Sequence, residues 1–174
     1  DPNTWCGSCD QCRRGRVNLC SRNVATGLQR DGGFAEYCAF PAHKAHVLPA
    51  DLHPHRGAFC EPLACTLHGI DMAKIIPGER VMILGGGVIG MLALQLATLA
   101  GAEVMLVTRS DDKRDLARRL GAHLTAATED QARALWPDGA DAVVECAGVV
   151  ETVEMAPRLT RTGGRVVTWA GTYW

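Results

Sequence analysis

Four cysteines fall within the first twenty residues, as Cys6-Gly-Ser-Cys9-Asp-Gln-Cys12 followed by Cys20. The spacing is C-x2-C-x2-C-x7-C. Short loops can bring these four sulfurs together, and four thiolates suit tetrahedral zinc, which binds sulfur well and has no redox chemistry. A closed all-cysteine shell leaves no open position, so the metal is expected to be structural rather than catalytic. An iron–sulfur cluster can begin similarly, but the last interval is long and no proline follows Cys20. Free or paired cysteines would leave the regular spacing without a reason. The remaining cysteines, Cys38, Cys60, Cys65 and Cys146, are scattered. A secreted disulfide scaffold is usually shorter and spreads its cysteines through the fold, so a reducing compartment is expected, with the cytoplasm as default.

A second pattern suits a dinucleotide. Arg80-Val-Met-Ile-Leu-Gly85-Gly-Gly87-Val-Ile-Gly90 is a strand candidate running directly into G-x-G-x-x-G. In such a turn Gly85 makes the tight bend, Gly87 lets backbone approach a pyrophosphate, and Gly90 permits close helix–strand packing. Val88 and Ile89 open the helix, whose N-terminal N–H groups would face the phosphates. The glycines alone are a weak signal that any α/β turn could mimic; the strand before and helix after strengthen it. Where the next strand ends, an NAD site usually carries Asp or Glu for the ribose hydroxyls. Here the residues are Thr108, Arg109 and Ser110, with Lys113 a helical turn further on. Losing the carboxylate and gaining Arg109 and Lys113 favours the 2′-phosphate of NADP(H) over NAD(H), unless both cations are merely solvated surface residues.

These patterns must be positioned by the surrounding elements, whose character changes near Lys74. Earlier segments are loop-like and rich in Cys, His and Gly, with short strand candidates at Phe34–Phe40 and Ala45–Leu48. After the Ile76-Pro77-Gly78-Glu79 turn, strands and helices alternate. Strands are expected at Val81–Leu84, Val104–Val107 and Asp141–Glu145, and at Arg165–Trp169 after a Gly163-Gly164 turn. Helices are expected from Val88 to Ala100 and from the Ser110 cap to Leu120. Alternation implies a doubly wound parallel sheet with right-handed crossovers. The whole chain has 174 residues, 47% apolar and 21% charged, with 18 Lys+Arg against 19 Asp+Glu. A net charge of −1 excludes a general electrostatic grip on nucleic acid or anionic membrane. The apolar run Val81–Ala100 is interrupted by four glycines, Gln95 and Thr98, and reads as strand, turn and helix rather than a membrane span.

A four-cysteine lobe upstream of a dinucleotide fold resembles the zinc-dependent medium-chain dehydrogenase/reductase family, in its sorbitol (polyol) dehydrogenase-like branch. The residues that carry the resemblance are Cys6–Cys20 with the Arg14-Gly-Arg-Val-Asn-Leu-Cys20 tail, Asp31-Gly-Gly-Phe-Ala-Glu-Tyr37, Glu61-Pro-Leu-Ala-Cys-Thr-Leu-His-Gly69, Gly85–Gly90 and Asp141-Ala-Val-Val-Glu-Cys-Ala-Gly148. The resemblance implies a Rossmann sheet over residues 75–174, preceded over 1–74 by part of a GroES-like, β-rich catalytic domain with a structural zinc lobe. It implies a cofactor-facing backbone at Ala147 and Gly148, and a homo-oligomer (dimer or tetramer) at full length. It also implies a second, catalytic zinc that polarises an alcohol oxygen while hydride passes to nicotinamide. Glu61 matches the family's third ligand to that zinc; the bland reading, a helix-capping residue before Pro62, suits Glu poorly. The substrate implied is a secondary alcohol or ketone of a polyol, sugar or (amino)cyclitol. The Glu-Pro opening of the segment favours this over an L-threonine 3-dehydrogenase, whose segment begins Asp-Pro.

The chain also departs from the family. Neither C-G-x-D nor G-H-E, which carry the other two catalytic ligands, occurs in it. It is therefore expected to be an internal fragment of a longer enzyme and inactive alone. Cys60 is a possible stand-in ligand, though small core filling is the commoner role; Cys146 is expected to pack near the nicotinamide edge. Three rivals stand beside the dehydrogenase: a zinc-stapled NADP-binding module, a zinc-free reductase of the same superfamily, and a nucleic-acid-binding zinc module suggested by Arg13, Arg14 and Arg16. Net charge and the lack of a recognition helix oppose the last.

Overall fold

The computed structural model describes residues 1–169. The chain divides into two compact units, Asp1–Gly57 and Ala58–Trp174. The helix that carries Glu61 lies in the second unit, against which its buried face (Thr66, Gly69, Ile70, Ala73) packs.

The first unit is mostly loop. It contains β1 (Asn3–Thr4), α1 (Asp10–Arg13), β2 (Val24–Ala25), α2 (Pro54–Gly57) and short 3₁₀ turns at Val17–Leu19 and Ala42–Lys44. β1 pairs antiparallel with β2, Asn3 opposite Ala25 and Thr4 opposite Val24. Lys44 is buried: its Nζ lies 3.0 Å from Asp1 Oδ2 and 3.1 Å from the Trp5 ring centroid. An ion pair and a π face together hold a charge that burial alone would expel. The strands expected at Phe34–Phe40 and Ala45–Leu48 are not formed. A strand needs a neighbouring backbone to complete its ladder. Among the described residues of this unit the named strands are β1 and β2 alone, and Phe34, Tyr37 and Val47 stand fully or almost fully exposed.

The second unit begins with α3 (Cys60–Ala73) and then alternates: β3 (Arg80–Leu84), α4 (Val88–Leu99), β4 (Glu103–Val107), α5 (Asp111–Arg119), β5 (Leu124–Ala126), α6 (Glu129–Leu135), β6 (Ala140–Glu145), α7 (Val150–Leu159) and β7 (Thr160–Thr168). The five strands form one sheet, order β5-β4-β3-β6-β7, and every neighbouring pair is parallel. Strand residues alternate between its faces. Val81 and Ile83 pack with Val104, Leu106, Leu94 of α4, Ala117 of α5 and Ile70 of α3 on one side. Met82 and Leu84 pack with Met105, Val143, Trp136 after α6, and Ala156 and Leu159 of α7 on the other. This is the expected doubly wound α/β architecture, with helices on both faces.

Local chemistry sets the helix ends. Ser110 caps α5, its Oγ accepting from Lys113 N at 3.4 Å, with Asp111 and Asp112 in the first turn. Thr128 caps α6 in the same way through Gln131 N, and Gln131 Oε1 reaches back to Ala127 N at 2.8 Å. α3 ends on Lys74 in the left-handed region, φ 50°. Arg165 offsets that conformation by donating to the Ala73 and Lys74 carbonyls while pairing with Glu79, 2.9 Å from Nη1 to Oε1. At the far edge, the expected Gly163-Gly164 turn is absorbed into β7, which starts directly after α7 and shifts register against β6 between Ala140 and Ala142. Among the described residues, no helix is long and apolar enough to cross a membrane.

Candidate functional site

The strand order reverses at β3, whose neighbours are β4 on one side and β6 on the other. Loops leaving β3 and β6 therefore diverge at the carboxyl edge and open a crevice. A cleft of about 660 Å³ lies there, walled by the Gly85–Gly87 turn, Thr108, Arg109 and Lys113 on one side and Ala147 and Thr152 on the other.

The glycine turn fits a pyrophosphate. Gly85 has φ 107°, and a Cβ on it would lie 2.9 Å from Ala147 N. A Cβ at Gly90 would sit 2.0 Å from the Gly85 carbonyl oxygen, so α4 leaves the turn as closely as backbone permits. At Gly87 the same atom would meet nothing within 4 Å: the space beside that exposed residue is open. Gly87 is the N-cap of α4, and no side chain caps this helix. Its first N–H groups are thus left for a ligand. Gly90 shapes the turn from beneath. Val88 and Ile89 follow the turn as the first residues of α4, and Gly148 follows Ala147 behind the opposite wall.

At the end of β4, Thr108 and Lys113 converge over the turn: a Cβ at Gly86 would be 3.2 Å from both Thr108 Oγ1 and Lys113 Cβ. Arg114 Nη1 donates to the Thr108 carbonyl at 2.6 Å, fixing the strand end. Arg109 and Lys113 are exposed at the rim. Glu129 on the opposite wall is tied to Arg158 (2.8 Å) and Arg133 (3.0 Å). The Arg158 guanidinium, aided by Arg133, holds its carboxyl down at about 2. Its negative charge is therefore largely balanced within the wall. Arg114, Glu129, Thr152 and Arg158 escaped the sequence reading, since their contacts depend on how turns fold and helices pack rather than on a motif.

Glu145 was also missed, although a carboxyl ending the apolar run Ala142-Val143-Val144 was a visible signal. It is fully buried. Its Oε1 accepts from Ala147 N (2.7 Å), Gly148 N (2.9 Å) and Thr152 Oγ1 (2.7 Å), while Oε2 is buried without a partner among the described residues. Cys146 continues the β6 ladder, its N donating to the Leu84 carbonyl at 2.8 Å. Burial pushes its thiol up to about 12, so it packs as an inert group, as expected.

In the first unit, the sulfur atoms of Cys6, Cys9, Cys12 and Cys20 all lie within 4.8 Å of one another. Backbone N–H groups point at them: Cys9 N at Cys6 Sγ (3.4 Å), Cys6 N at Cys20 Sγ (3.4 Å) and Arg22 N at Cys20 Sγ (3.3 Å). Bonds from the Ser8 and Cys9 backbone pull the Cys6 thiol down to about 5, and those from Cys12 and Ser21 pull Cys9 down to about 7. Burial, with its sulfur neighbours, pushes Cys12 up to about 12. Four crowded sulfurs, with backbone N–H groups favouring the thiolate at Cys6 and Cys9, are a donor set that fits one divalent cation.

Glu61 lies exposed in the first turn of α3, where its side chain caps nothing. Cys65, one turn on, lies 3.4 Å from Glu61 Oε1 through its Sγ, and burial together with this carboxylate pushes that thiol up. Cys60 is exposed, not core filling, because α3 turns it away from its packed face. Among the described residues no third ligand joins Glu61. These residues do not complete a catalytic zinc shell.

Comparison with known proteins follows the same division. Residues 1–50 match the alcohol dehydrogenase GroES-like domain, and residues 88–173 match the zinc-binding dehydrogenase domain. Sorbitol dehydrogenase of Halalkalibacterium halodurans is 36% identical over 92% of the chain and 49% of its own length. L-threonine 3-dehydrogenase of Burkholderia thailandensis is 40% identical over 67% of the chain and 34% of its own length. A crystal structure from Sinorhizobium meliloti, described as a zinc-binding dehydrogenase bound to NADP, is 52% identical with a TM-score of 0.91, covering 98% of this chain and 52% of that one. The chain spans at most about half the length of these relatives.

Proposed function

The chain belongs to the zinc-binding medium-chain dehydrogenase family, in its polyol branch, and from that premise we propose that it forms the cofactor-binding part of an NADP(H)-dependent dehydrogenase of secondary alcohols. The observation that carries the reading is the cleft, where a close-packed glycine turn leaves open space at Gly87 beneath Thr108, Arg109 and Lys113. In it, Gly85, Gly87 and the start of α4 at Val88 and Ile89 would hold the pyrophosphate, with Gly90 keeping the helix close. Thr108, Arg109 and Lys113 would hold the 2′-phosphate. Ala147 and Gly148 would set the edge reached by the nicotinamide. A bound nicotinamide dinucleotide supplies the hydride acceptor for oxidation of an alcohol carbon. The chain's own residues bind it, orient it and exclude water from one face.

Cys6, Cys9, Cys12 and Cys20 would hold a structural zinc, and Glu61 would contribute one ligand to a catalytic zinc in the whole protein. Residues 1–74 would then be part of the catalytic domain, and 75–174 the dinucleotide-binding domain. Substrates would be polyols, sugars or cyclitols, or the matching ketones. Over the 92% of the chain that each covers, the sorbitol dehydrogenase match is 36% identical and a threonine dehydrogenase match 33%, which together with the Glu61-Pro62 opening supports them. A cytoplasmic homo-oligomer acting on small molecules agrees with this reading. The test is a screen of polyols, cyclitols and L-threonine for reduction of NADP⁺ and NAD⁺ by the whole protein of which this chain is part, alongside metal analysis. Turnover of a polyol with NADP⁺ is the expected result; turnover of L-threonine alone would move the protein to the neighbouring branch.

A further inference from the structure

Glu145 is fully buried and does not line the cleft, yet it bonds the segment that does. We propose that Glu145 is a positioning residue of the dinucleotide site, its carboxyl group fixing the β6–α7 turn and, through it, the glycine turn after β3. The inference rests on the cleft being the dinucleotide site.

The support is geometric. The Ala147 and Gly148 N–H groups lie beyond the end of the β6 ladder, and Oε1 of Glu145 takes both, at 2.7 and 2.9 Å. The same oxygen accepts from Thr152 Oγ1 at 2.7 Å, in the first turn of α7, a helix that no side chain caps. One atom thus ties strand, turn and helix together. The turn it fixes is in contact with the pyrophosphate turn: a Cβ at Gly85 would lie 2.9 Å from Ala147 N and 3.0 Å from Ala147 Cβ. Packing that tight transmits displacement, because neither backbone has space to give. Among the described residues the second carboxyl oxygen is buried without a partner, which costs free energy that an apolar residue, like Val143 or Val144 before it, would not incur. The bonds to Oε1 are the evident compensation.

The test compares wild type, Glu145→Ala, Glu145→Gln and Val104→Ala, the last a core variant toward the amino end of β4, away from the cleft. NADPH is titrated into each purified protein well below its melting transition, and amide exchange is followed at residues 147 and 148. Glu145→Ala should bind NADPH about tenfold more weakly and lose protection at both amides. Glu145→Gln keeps an acceptor oxygen and should recover to within about threefold of wild type. Val104→Ala should melt earlier yet bind as wild type does. Wild-type binding with an unaffected Glu145→Ala, or a Gln variant as weak as Ala, would overturn the inference while leaving the dinucleotide reading intact. A wild type that binds neither NADPH nor NADH would overturn that reading instead. Should Glu145→Ala fail to fold, fast exchange of the 147 and 148 amides in the wild type would overturn the inference, and slow exchange would support it.

Discussion

Two alanines placed three residues apart in the glycine turn should fail in opposite ways. In Gly90→Ala the new Cβ would lie 2.0 Å from the Gly85 carbonyl oxygen, 3.1 Å from Gly85 C and 3.6 Å from Ile83 Cγ2. Relief requires the start of α4 to move away by about 1 Å, since ordinary carbon–oxygen contacts begin beyond 3 Å. Neither side can yield easily. Met91, Ala93, Leu94 and Ala97 of α4 are locked into the core, and Gly85 is backed by Ala147. Overpacking of this kind costs about 1–3 kcal/mol, which for a unit of this size lowers the melting temperature by about 4–12 °C. In Gly87→Ala the methyl meets no protein atom within 4 Å, at a residue whose φ of −80° suits alanine. Its stability should change by less than about 1 kcal/mol. The methyl nevertheless occupies the space through which a pyrophosphate would approach, and should weaken dinucleotide binding by about tenfold or more. Calorimetric melting and NADPH titration of both variants test the pair. Melting of Gly90→Ala at the wild-type temperature would refute the packing argument, and wild-type affinity in Gly87→Ala would refute the assignment of the pyrophosphate path.

Other consequences follow from the same residues. Arg109→Ala removes one charge-assisted contact at an exposed rim, and should weaken NADPH by about 5–10-fold while leaving NADH nearly unchanged; equal losses in parallel titrations would remove Arg109 from 2′-phosphate recognition. A chelator strong enough to strip zinc should lower the melting temperature of the first unit by several degrees, and an unchanged melting curve with verified metal loss would contradict a structural role for Cys6, Cys9, Cys12 and Cys20. Glu129, held down at about 2 from 4.5 by Arg158 and Arg133, stabilises the fold at pH above about 4.5 and loses that contribution as pH falls toward about 2. Glu129→Gln should therefore flatten the acid limb of a stability-versus-pH curve over that interval, and an acid limb as steep as wild type would show that the two ion pairs do not contribute.

The legible parts of this protein were those in which chemistry is local. The Ser110 cap, the strand feeding Gly85, and the sulfur spacing from Cys6 to Cys20 each determine their structure within a few residues, and each formed as the sequence indicated. The strand candidates Phe34–Phe40 and Ala45–Leu48 had the right composition but depend on a partner backbone, which local pattern does not report. Short elements were missed for a related reason: β5 has three residues and α6 seven, too few for a period to emerge. In the cleft, the glycines and Thr108 were readable as a motif. Arg114 on the Thr108 carbonyl was not, because it depends on how the β4–α5 turn folds, and Arg158 on Glu129 was not, because only the sheet brings α6 and α7 together. Glu145 lies between these cases: its charge in an apolar strand was visible, but its donors became known only with the β6–α7 turn.

The central claim is that the cleft beside Gly87 takes a nicotinamide dinucleotide carrying a 2′-phosphate. Calorimetric titration of the purified protein with NADPH and then with NADH tests it most directly. Saturable binding at one site is expected for both, with NADPH tighter by about tenfold. Equal or tighter binding of NADH would contradict the role given to Thr108, Arg109 and Lys113, and absence of saturable binding by either would contradict the cleft's assignment altogether.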